Sequence, residues 1–131
     1  MKELTLAIDP GIASAWALIS PDGALAGTGV WAVDEIPGRL DALIRRLHLS
    51  GYTLSCVVAG EKPGPTREMV IRGAILATLE EIYELHVQTV WPNEWRPPTR
   101  AVKCPWRYGG VPLTLDQKNA YKMALFARGL A

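Results

Sequence analysis

The chain has 131 residues, a net charge of +1 and an apolar share of 49%, which suits a single domain over 1–131 and excludes wholesale disorder. No apolar run is long enough to span a membrane, and the early acid in "MKELTLAIDPG" argues against a secretion signal. The two cysteines, Cys56 and Cys104, have no metal-ligand neighbours and suggest no disulfide framework, so an intracellular, cytoplasmic location is expected.

"LTLAID" reads as a first strand, apolar or β-branched almost throughout, as a central strand covered on both faces would be. "PG" breaks it, "SAWALIS" resumes as a second strand, and "PDG" is a turn signal. "ALAGTGVWAV" is a third strand weakened by its glycines, and the short connections predict an antiparallel meander. In "DEIPGRLDALIRRLHLSG", Asp34 or Glu35 favours a helix start, and Gly51 ends the helix. Its residues Leu40, Leu43, Ile44 and Leu47 share one face. "YTLSCVVAGE" is a fourth strand that delivers Glu61 at its end. After the rigid "KPGPT", residues 67–86 have helical periodicity through Met69, Ile75, Leu76, Leu79, Ile82 and Tyr83. "HVQTVWP" is a fifth strand.

Residues 93–112 hold four prolines, two tryptophans and four basic residues, and are expected to form a functional loop without regular structure. Basic charge concentrates here. Residues 1–60 carry four Lys/Arg against six Asp/Glu, and residues 61–131 carry ten against seven. A local basic patch on a near-neutral chain suits a polyanion. "LTLDQKNAYKMALFARGL" closes the chain as a helix capped by Thr114, with Ala120, Met123, Ala124 and Ala127 on its small apolar face. The order of elements predicts an α/β fold, a mixed five-stranded sheet with helices on both faces.

Three acids stand at element boundaries. Asp9 leaves the first strand, Glu61 leaves the fourth, and Asp116 lies in the first turn of the last helix. If strands one and four are parallel neighbours, Asp9 and Glu61 reach the same sheet edge, and the last helix brings Asp116 over them. Converging carboxylates repel one another, and a divalent cation removes that cost. Hard oxygen ligands select Mg2+, with Mn2+ able to substitute. Asn119, three residues after Asp116, shares its helix face and offers an uncharged oxygen. Such a cluster suits phosphodiester hydrolysis with two metal ions. The serines, cysteines, His48 and His86 form no nucleophile–base pair legible in the sequence, and there is no CxxC, HExxH or Walker motif.

"LAIDPGIASAWALI", "VVAGEKP", "VWPNEWR" and "DQKNAYKMALFA" together resemble the RuvC type of Holliday-junction resolvase, in particular its short phage members. The resemblance spans the chain, and its first and last motifs are the distinctive ones. It implies an RNase H-like fold, a homodimer, and paired Mg2+-dependent nicks across a four-way DNA junction. It assigns Asp9, Glu61 and Asp116 as catalytic metal ligands and puts Asn119 where a further acid is expected, which implies a weakened or inactive chain. DNA contacts are expected from Lys62, Arg67, Arg72, Arg96, Arg100, Lys103 and Arg107, through phosphates rather than bases. The 67–86 helix is the expected dimer contact. Trp95, Trp106 and Tyr108 either stack on opened bases or pin the proline-rich loop. Two other readings stand beside this one: an RNase H-like nuclease acting on structured RNA, and a branched-DNA-binding protein without catalysis.

Overall fold

Alternation along the first strands sorts their side chains onto two faces, and each face meets its own helix. The computed structural model describes residues 2–10, 13–60, 85 and 87–131, with backbone alone at 33 and 55–59. Glu61, Lys62, Arg67, Arg72 and the helix expected over 67–86, with its dimer contact, lie outside the described residues. Strands β1 (Lys2–Asp9), β2 (Ala13–Ile19) and β3 (Leu25–Ala32) form the expected antiparallel meander. A short 3-10 turn, Val33–Glu35, leads into α1 (Ile36–Leu49), followed by β4 (Tyr52–Gly60) and β5 (Val87–Val90). β4 runs parallel to both β1 and β5, so the sheet is mixed, in the order β3-β2-β1-β4-β5. β1 is thus hydrogen-bonded on both sides, as its apolar composition requires.

On one face, Leu4, Leu6 and Ile8 of β1 pack with Trp16 and Leu18 of β2 against Ile36, Leu40 and Leu43 of α1. The i, i+4, i+7 spacing of those α1 residues is what a helix needs to present one stripe to a sheet. Trp16 and Trp31 meet here with ring centroids 4.8 Å apart and planes tilted by 31°. Trp16 lies across its cross-strand neighbour Gly29, where a Cβ would fall 2.9 Å from the indole nitrogen. The glycines that weaken β3 as a strand therefore make room for the largest side chain of β2.

The other face is built from smaller residues. Ala7, Ala17 and Ile19 pack with Val90 against Ala120, Met123, Ala124 and Leu125 of the closing helix, α3 (Leu115–Ala127). Small residues on both sides let α3 lie close on β1 and β2.

The segment expected to be an irregular loop is largely regular. Pro92–Thr99 forms α2, and Arg107–Tyr108 and Val111–Pro112 pair as the two-residue strands β6 and β7. Pro92 suits the first helical position, where no donor is needed, and the Glu94 carboxylate accepts from the Trp91 N–H at 2.9 Å. Pro97 and Pro98 remove two helical donors late in α2. The Thr99 hydroxyl donates to the Trp95 carbonyl at 2.7 Å, and the helix stops there. Gly109 and Gly110, with φ of 58° and 80°, supply the left-handed pair that a two-residue hairpin turn demands. Among the described residues no helix is long and apolar enough to cross a membrane.

Candidate active site

The C-terminal ends of β1 and β4 lie side by side because the two strands are parallel, with Ile8 opposite Ala59. Asp9 is the last residue of β1 and Gly60 the last of β4. Gly60 has little room for a side chain, since a Cβ there would lie 2.9 Å from Met123 Sδ. α3 begins nearby, and its start is fixed by reciprocal capping. The Gln117 N–H donates to Thr114 Oγ1 at 3.2 Å, and the Thr114 N–H donates to Gln117 Oε1 at 2.8 Å. That start places Asp116 in the first turn, where the helix dipole favours a negative charge.

Asp9, Asp116 and Asn119 line one cavity of about 130 Å3, together with Gly60, Pro92, Trp95, Arg96 and Met123. Trp95 and Met123 are buried and form its apolar part. A wider cleft of about 620 Å3 adjoins it at Pro92, lined among the described residues by Trp91, Pro92, Asn93 and Glu94.

Two of the three expected acids thus share a site, and the third, Glu61, follows the cavity residue Gly60 directly in the chain but lies outside the described residues. Among the described residues no three of His, Cys, Asp and Glu gather as a metal-binding group. The lining offers two carboxylates and an amide oxygen, the hard oxygen donors that Mg2+ and Mn2+ take. Asn119 is neutral, and Arg96 adds a positive charge to the same cavity.

Arg96 and Trp95 both stand at the cavity. Arg96, expected among the DNA contacts, is exposed and also lines the cavity with the acids, its Cζ 5.3 Å from the Trp95 ring centroid. Trp95, for which base stacking and pinning of the proline-rich segment were both open, is 4% exposed and packs in the core with α3, which favours pinning. The signal for both was present in "WPNEWR". Proline at the first helical position and glutamate at the third mark a helix start, and that helix sets Trp95 and Arg96 in neighbouring directions. Arg100, Lys103 and Arg107 remain exposed beyond the cavity.

The mixed sheet, with Asp9 at the end of β1, α1 on one face and the closing helix on the other, is an α/β fold with helices on both faces. No family model matches the chain, and no curated protein matches it in sequence. The fold, however, is similar to that of Thermus thermophilus RuvC, described as in complex with a Holliday junction substrate. The TM-score is 0.63 at 18% identity, covering 95% of this chain and 91% of that one. It is also similar to an uncharacterised protein with similarity to peptidase YeaZ from Pseudomonas aeruginosa (TM-score 0.52, 16% identity, 76% and 49% covered). Pseudomonas aeruginosa YeaZ itself matches at a TM-score of 0.45 and 18% identity, with 72% and 49% covered. The chain spans about half the length of these last two proteins. At such identities the likeness is one of fold.

Proposed function

We propose that the chain is a divalent-metal-dependent endonuclease that nicks four-way DNA junctions in symmetric pairs, weakened in this form by Asn119. The observation that carries the reading is the convergence of Asp9, Asp116 and Asn119, from opposite ends of the sequence, on one small polar cavity. Asp9 and Asp116, with Glu61, would hold Mg2+, or Mn2+ in its place. The cation, when bound, supplies water activation and charge for a phosphodiester. Arg96, braced by Trp95, offers a fixed positive charge to a phosphate oxygen in the same cavity. Arg100, Lys103 and Arg107 on the exposed segment, with Lys62, Arg67 and Arg72, would hold the backbone phosphates of the arms. Paired nicks require two copies, and the 67–86 helix is the proposed contact between them.

The neutral Asn119, with Arg96 beside it, also suits a protein that binds branched DNA without cutting it. Cleavage of a four-way junction in Mg2+ by the protein carrying Asn119 and by Asn119→Asp separates the two. The nuclease reading expects Asn119→Asp to cut at least about tenfold faster, since an added carboxylate strengthens cation binding, and chelation to abolish cutting. No cutting by either form in Mg2+ or Mn2+, with tight junction binding, would establish binding alone. Equal rates for the two forms would remove the weakening assigned to Asn119.

A further inference from the structure

Trp106 is 81% exposed, although burying an indole is among the largest apolar gains a side chain offers. Its setting is nonetheless fixed. The Leu113 N–H donates to the Trp106 carbonyl at 3.0 Å, and the β6–β7 hairpin that follows is held by the Tyr108 hydroxyl, which donates to the Ala26 carbonyl at 2.6 Å. Lys118 Nζ stands 5.4 Å from the centroid of the Trp106 ring. Lys118 lies on α3 between Asp116 and Asn119, the two polar residues of that helix that line the cavity. At about 3.6 residues per turn Lys118 is turned about 200° from Asp116 and about 100° from Asn119, so it flanks the cavity rather than lining it.

We infer that Trp106, with Lys118 and Arg107, forms a stacking platform for an unpaired base of the DNA strand that passes the cavity. An exposed aromatic ring held in place beside cations matches the chemistry of a single strand, which presents a base face and a phosphate together. Charge favours a polyanion. From Trp95 to Leu115 the chain carries Arg96, Arg100, Lys103 and Arg107 and no acid, a surface that attracts phosphates. The placement of the platform next to the scissile phosphate rests on the nuclease reading, but strand binding does not, because it requires no cation.

The test is a binding titration by fluorescence anisotropy in the presence of a chelator, using a labelled single-stranded oligonucleotide and a fully paired duplex. Wild-type protein, Trp106→Ala and Trp106→Phe are compared, with oligomeric state measured by light scattering. The expected result is a loss of at least about fivefold for the single strand in Trp106→Ala, most of it restored by the phenyl ring, with duplex binding and oligomeric state unchanged. Three results would overturn the platform: no loss for the single strand, an equal loss for strand and duplex, or a changed oligomeric state in Trp106→Ala, which would give the indole to a contact between copies. Chelation keeps this readout independent of cutting, so a chain that fails to nick junctions leaves it interpretable.

Discussion

Gly60 shows how closely single atoms set the site. A Cβ at that position would lie 2.9 Å from Met123 Sδ and 3.6 Å from Pro10 Cδ. Met123 is buried and lines the cavity, so its thioether must shift within the packed interior to admit the methyl group. Thioether side chains bend more readily than rings or backbone, which places the cost of Gly60→Ala at the lower part of the overpacking range, about 1–2 kcal/mol. Trimming the partner should relieve it. Chemical denaturation of Gly60→Ala, Met123→Ala and the double variant is expected to give a combined loss smaller than the sum of the single ones. Strict additivity would mean that the two side chains do not compete for the same space.

At the scale of elements, the hairpin β6–β7 is too short to stand alone, since even full-length two-stranded hairpins are marginal in water. Its tether is the Tyr108 hydroxyl bond to Ala26 of the edge strand β3, at 2.6 Å. Tyr108→Phe keeps the ring and removes the bond. Because the site is exposed, the global loss should fall near the low end of 0.5–1.5 kcal/mol, while amide exchange across 107–112 accelerates relative to the sheet. Unaltered exchange there would show that the tether is idle. This hairpin and α2 are also the elements that composition concealed. β1, β2 and α1 were legible because long apolar periodicity has few alternative readings. The 92–112 segment mixes four local signals: proline at a helix start, prolines near its end, a Gly-Gly turn, and strands of two residues. Proline content there suggested a loop, yet α2 places its prolines where helical donors are dispensable or where the helix is about to stop. Asp9 and Asp116 were legible for a related reason: each sits at the boundary of an element whose period is clear. Arg96 was not, because its direction depends on α2.

The molecule as a whole is closed by its last helix. α3 lies on β1 and β2, and Tyr121, buried on that helix, donates its hydroxyl to the Gly23 carbonyl at 3.0 Å across a separation of 98 residues. The same docking carries Asp116 and Asn119 to Asp9, so what holds α3 down also holds the cavity together. Burial pushes the Tyr121 hydroxyl above its ordinary value, and the charge of Cys104 adds to the shift. A raised value means that the folded state keeps the proton more tightly than the unfolded chain does. The resulting stability is fully present below the unfolded tyrosine range near about 10 and is lost as pH rises through the folded value. Tyr121→Phe should cost about 1–2 kcal/mol at neutral pH, because it leaves the Gly23 carbonyl without its donor. In exchange, the variant should lose less stability than the wild type between about pH 9 and pH 11, since a phenyl ring has no proton to give up. Denaturation midpoints across that range decide the matter: converging curves support the clamp, and parallel curves would show that the alkaline loss arises elsewhere in the chain.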